Sequence, residues 1–88
     1  MHSALFLAIM PKRPDDWDNF TSRVNNKVKE TEAFSRLAEN VWLVDVTKSP
    51  GVLAYLISFA QECRLRYGIL PFERAPQWLP ADFDSKPT

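Results

Sequence analysis

The segment Thr31-Glu32-Ala33-Phe34-Ser35-Arg36-Leu37-Ala38-Glu39-Asn40, running into Val41-Trp42-Leu43-Val44-Asp45-Val46, decides the fold. Read as a helix, residues 31–40 set Phe34, Leu37, Ala38 and Val41 on one stripe. Read as sheet, residues 33–38 form a short strand, Glu39-Asn40 turns tightly, and 41–46 returns. Asn tolerates the positive φ that short hairpin turns require, although no Gly follows it. The return segment is β-branched and aromatic, as strands prefer. Its alternation puts Trp42, Val44 and Val46 on one face and Val41, Leu43 and Asp45 on the other.

On the N-terminal side, residues 4–10 (Ala-Leu-Phe-Leu-Ala-Ile-Met) read as a strand closed by Pro11 and Pro14. Leu5, Leu7 and Ile9 share one face, and Phe6, Ala8 and Met10 the other. A strand apolar on both faces belongs in the middle of a covered sheet. Asp15 then offers a helix N-cap, with Asp16 and Asp18 in the first turn, where carboxylates suit the helix dipole. Trp17, Phe20, Val24 and Val28 follow as one helical stripe, which predicts a helix from 16 to about 30.

On the C-terminal side, Ser49-Pro50-Gly51 is a helix start, with Ser as cap and Pro at the first position. Leu53, Leu56, Ala60 and Cys63 form its buried stripe, and the helix is expected to end near Arg64. Residues 67–72 (Tyr-Gly-Ile-Leu-Pro-Phe) read as a last strand. Pro71 cannot donate to a ladder, so that strand belongs at a sheet edge.

The sheet reading gives the order strand, helix, strand, strand, helix, strand. This is an α+β, ferredoxin-like βαββαβ pattern, with two helices on one face of an antiparallel sheet. The helical reading of 31–40 leaves a small three-stranded parallel α/β unit as the alternative. Either way, residues 1–72 make one compact α+β domain. Residues 73–88 form a proline-rich arm carrying Trp78, Leu79 and Phe83; its Trp78 region is expected to dock, and its end to be loose.

In the ferredoxin-like case one sheet face is left without helices. Leu5, Leu7, Ile9, Val41 and Leu43, joined by Trp78 and Phe83 from the arm, are the candidate interface. A contiguous apolar patch of this kind marks an association surface, and two-fold dimers are its commonest closure.

Composition bounds the function. The chain has 88 residues, and 11 basic residues balance 11 acidic ones, which argues against a protein that coats nucleic acid by charge surplus. A domain of this size has a marginal core. Three Trp, two Tyr and six Phe therefore suggest apolar area buried against a partner. The apolar run at 4–10 is far short of the roughly 18 residues that span a membrane and lacks the flanks of a signal peptide, so no membrane association is expected. The single cysteine fits a cytoplasmic location.

The apolar first strand, the run Arg36-Leu37-Ala38-Glu39-Asn40-Val41-Trp42-Leu43-Val44, the capped second helix and the final strand resemble the small CRISPR-adaptation proteins and their ferredoxin-like toxin relatives. The resemblance spans roughly residues 4–72. It implies a homodimer with packed sheets and a C-terminal segment reaching across to the partner. Ribonucleases of that group carry an Asp at the end of the first strand to hold a metal. Here the strand ends Ala8-Ile9-Met10-Pro11, so nuclease activity is not carried over.

Other chemistry is sparse. His2 is the lone histidine, without assured partners. The Asp15, Asp16, Asp18 cluster could hold a hard cation, yet the same spacing serves capping. Asp45, before Thr47 and Ser49, suits either a strand-end site or a turn. Cys63 on the apolar stripe reads as a small hydrophobe. Basic residues come in pairs: Lys12 with Arg13, Lys27 with Lys29, and Arg64 with Arg66. Arg64, Arg66 and Tyr67 form the candidate nucleic-acid contact, against the plainer reading of a solvated surface. No phosphate loop or dinucleotide motif is present, and no cofactor is expected. The resulting expectation is a non-catalytic, homodimeric interaction protein, of bacterial or phage accessory or inhibitor type, that binds another macromolecule. A metal-dependent ribonuclease or toxin and a nucleic-acid-binding module are the alternatives.

Overall fold

A computed structural model describes residues 1–28 and 34–76. Lys29, Trp78, Leu79 and Phe83 lie outside the described residues. The element order is β1 (Ser3–Ala8), α1 (Pro14–Lys27), β2 (Phe34–Ala38), β3 (Val41–Asp45), α2 (Pro50–Glu62) and β4 (Tyr67–Phe72). The strands form one antiparallel sheet in the order β2-β3-β1-β4. This is the α+β, ferredoxin-like βαββαβ arrangement, so the segment at 34–45 is a hairpin and the three-stranded parallel alternative is excluded.

Register explains why β1 is apolar throughout. Phe6 stands opposite Trp42 of β3 and Ile69 of β4, while Leu5 stands opposite Leu43 and Leu70. Both helices pack on the Phe6 side. Trp17, Phe20 and Val24 of α1 and Leu53, Leu56 and Ala60 of α2 join Ala4, Phe6, Ala8, Trp42 and Val44 in a single core. Phe6 is its hub, with ring centroids 6.3 Å from Phe20, 6.2 Å from Trp42 and 5.4 Å from Tyr67. Burial of each such side chain contributes about 1.5–3 kcal/mol. An Arg23–Glu62 ion pair and Lys27 Nζ over the Tyr55 ring join the two helices at their surface.

This core changes the expectation drawn from the aromatic content. Phe6, Trp17, Phe20, Phe34 and Trp42 are all sunk within the monomer. Among the described residues, the large apolar side chains left exposed are mainly aliphatic: Leu7, Ile9, Met10, Ile69 and Leu70, with Met1 and Tyr55.

Several boundaries differ from the sequence reading. Arg13, not Asp15, is the N-cap of α1; Pro14 takes the first helical position because its missing N–H costs nothing there, and Asp15 and Asp16 move into the first turn. Ser49 does cap α2, but through its backbone position, without a side-chain hydrogen bond. The β2–β3 turn uses no positive φ at Glu39 or Asn40. The chain reverses at Glu39-Asn40, between the paired Ala38 and Val41, with a register shift between Arg36 and Ala38 just before the turn, and the Arg36 guanidinium donates to the Glu39 carbonyl. Asn40 closes the end of β1: its side-chain amide donates to the Ala8 carbonyl at 2.9 Å, and its carbonyl accepts from Ala8 N–H.

The α2 helix ends at Glu62 rather than at Arg64. Leu65 N–H donates to the Ala60 carbonyl at 2.8 Å and Arg64 N–H to the Gln61 carbonyl at 3.2 Å. This pair of bonds is a Schellman closure, with Leu65 buried behind it. The closure needs a left-handed residue after the cap, and Arg64 supplies it with φ 63°. Glycine is the usual occupant of that position, because a Cβ there meets the following carbonyl oxygen.

Candidate functional site

Two surface features carry functional potential, at neighbouring parts of the sheet. The first is the sheet face without helices. Leu5 and Leu7 of β1 lie opposite Leu43 and Val41 of β3 on one side and Leu70 and Gly68 of β4 on the other. Leu7 is 40% exposed and Leu70 56%, high values for leucines in a sheet. An apolar groove of about 310 Å³ runs between β1, β3 and β4. Gly68 opens it, since it stands opposite Leu7 with no side chain, and a Cβ there would meet nothing within 4 Å.

The structure thus assembles four of the sequence-predicted interface residues, Leu5, Leu7, Val41 and Leu43, on one face. Leu70 joins them although it is not among the residues expected there; its period-2 relation to Gly68 and Phe72 is the sequence signal that places it on this face. Ile9 parts from the group. Strand β1 ends at Ala8, and Ile9 turns to the second feature. Trp78 and Phe83 lie outside the described residues.

The second feature is a cavity of about 460 Å³ between the β1–α1 and α2–β4 connections. Lys12 and Arg13 approach from the first connection, Arg64 and Arg66 from the second, and Asp16 is the single carboxylate lining it among the described residues. Ile9, Met10 and Pro11 supply an apolar wall. The two connections are clamped together by Ile9 N–H donating to the Arg66 carbonyl at 2.7 Å, just beyond the Ala8–Tyr67 pair of the β1–β4 ladder. No ion pair among the described residues engages any of the four cations. Tyr67, grouped with Arg64 and Arg66 in the sequence reading, is elsewhere: its ring stacks on Phe6 and its hydroxyl accepts from the Gln61 amide at 3.2 Å.

The remaining candidates take structural places. Asp45 Oδ1 accepts from Thr47 N–H at 3.0 Å, from Lys48 N–H at 3.1 Å and from the Thr47 hydroxyl. These bonds, the Thr47 hydroxyl foremost, hold its carboxyl below the usual value of 3.8. They fix the turn into α2, which is the turn role. His2 Nδ1 lies 2.6 Å from Ser3 Oγ. Cys63 is buried in the core, and burial pushes its thiol pKa up. Among the described residues, no three His, Cys, Asp or Glu side chains converge as a metal site, and Asp15, Asp16 and Asp18 do not. Among them too, no helix is long and apolar enough to cross a membrane.

The fold and these surfaces define a small ferredoxin-like α+β protein with one helix-covered and one open sheet face. No family model, curated protein or solved structure matches the chain.

Proposed function

We propose that this chain is a non-catalytic interaction protein that works as a homodimer, with the open sheet face of one copy seated on the same face of another. The observation that carries the reading is the aliphatic row Leu5, Leu7, Val41, Leu43 and Leu70, all on the face that α1 and α2 leave uncovered. Self-complementary apolar patches are the ordinary material of two-fold interfaces. The resemblance to small CRISPR-adaptation proteins points the same way, since it implies sheet-to-sheet dimers. Trp78 and Phe83 enter this reading from sequence alone, as parts of a segment that would extend the interface. The dimer would then present its helices and loops to a further macromolecular partner.

The test is the mass in solution, by light scattering coupled to size exclusion, for wild type and for Leu7→Lys. Leu7 is exposed and makes no part of the buried core, so the variant keeps the fold. Wild type should run as a dimer and Leu7→Lys as a folded monomer. A monomeric wild type at tens of micromolar would overturn the proposal.

A further inference from the structure

We propose that the cavity between the β1–α1 and α2–β4 connections binds the phosphate of a nucleotide, free or within a single strand. The case is independent of the sheet-face dimer. Four cations face one space against a single carboxylate, and none is tied up in an ion pair among the described residues. Three of the four are arginines, whose planar guanidinium forks match phosphate oxygens two bonds at a time. The volume, about 460 Å³, lies in the range of small-ligand sites and is too small for a folded partner. Its apolar wall gives the ligand a second character. Ile9 and Met10 are each 44% exposed there, a surface that suits a base or sugar and that a bare inorganic anion would not use.

Arg64 adds a separate observation. Its left-handed backbone is set by the helix closure at a position that glycine commonly fills, and backbone kept in a sparsely populated region clusters at binding sites. From that position Arg64 lines the cavity together with Arg66. Net neutrality of the chain does not oppose this, because the Lys12–Arg13 and Arg64–Arg66 pairs, distant in sequence, are added together only by the β1–β4 pairing.

The experiment is fluorescence anisotropy with labelled oligo-dT and oligo-U of about twelve nucleotides, with AMP, inorganic phosphate and poly-glutamate as competitors, on the full chain. Binding should weaken at least about tenfold in Arg64→Gly and in Arg66→Gln, the loss of one charge-assisted contact. Asp16→Asn should tighten it by about twofold to fivefold, since it removes the one opposing charge. For a strand, the salt slope should be about −0.7 per phosphate held. Tighter binding of the strands than of AMP assigns the strand as source; equal binding assigns the free nucleotide; both support the proposal. Binding of none of these, competition by inorganic phosphate or poly-glutamate as strong as by AMP, or binding untouched by the three variants would overturn it.

Discussion

Arg64→Gly tests the backbone of the α2 closure directly, apart from any ligand. Arg64 sits at φ 63°, and a left-handed conformation costs a residue with a Cβ about 1–2 kcal/mol. Glycine removes that cost but returns freedom to the unfolded chain, worth about 0.4–1 kcal/mol in the opposite direction. The Schellman bonds to Ala60 and Gln61 are backbone bonds and survive the change. The guanidinium makes no ion pair among the described residues that would be lost. The net expectation is a gain of about 0.5–1 kcal/mol, which in a domain of this size raises Tm by roughly 3–6 °C. Thermal unfolding followed by circular dichroism, at one fixed protein concentration so that association does not intrude, measures it. Arg64→Ala is the control: it removes the same charge but keeps the Cβ, so its Tm should stay at or below wild type. An Arg64→Gly protein that melts no higher than wild type, or an Arg64→Ala protein that gains as much, would refute the reasoning.

Two further outcomes follow from titratable groups. Asp45 has its carboxyl pKa depressed in the folded state, so its stabilising contribution is present above the unfolded value and lost as pH falls through the folded one. A carboxyl-carbon NMR titration should give Asp45 a midpoint below 3.8, and Thr47→Val, which removes the principal hydrogen bond, should move it back up; an unchanged midpoint would contradict the assignment. Cys63 is buried with its thiolate disfavoured, so a disulfide reagent at neutral pH should label it only as fast as the chain unfolds, and fully at once in denaturant. Rapid labelling of the folded protein would show that the α2 stripe is not closed.

The element order was legible because each segment carried its own local signal. Residues 4–10 were apolar without break, 14–27 had the Trp17-Phe20-Val24 stripe, and Ser49-Pro50 marked a helix start. The 34–38 segment was harder, since Phe34 and Leu37 fit a helical stripe as well as a strand. Pairing decides it: Phe34 and Arg36 face Val44 and Trp42 in register, and the Arg36 guanidinium lies 5.2 Å above the Trp42 ring. Half of the candidate surfaces could be foreseen. Alternation along β1 and β3 places Leu5, Leu7, Val41 and Leu43 on one side wherever the strands pair. The cationic cavity could not be, because Lys12 and Arg64 are joined only through the ladder between β1 and β4, and nothing local in either pair records the other. Tyr67 separates from its sequence neighbour because β4 begins with it and turns its ring onto Phe6, while Arg66 belongs to the connection that lines the cavity.

The position of β1 has a consequence for how the chain acquires its structure. β1 is made first, yet both of its neighbours, β3 and β4, come later, and β4 ends at Phe72. During synthesis β1 therefore gains β3 on one edge midway, while its other edge stays bare until β4 has emerged. Such pairings between distant segments are slow to form, and unpaired edges recruit other chains meanwhile. A ribosome stalled before β4 would release a product with Phe6, Leu7 and Ala8 along an open edge, which makes the last six-residue strand a checkpoint against aggregation as well as a structural edge.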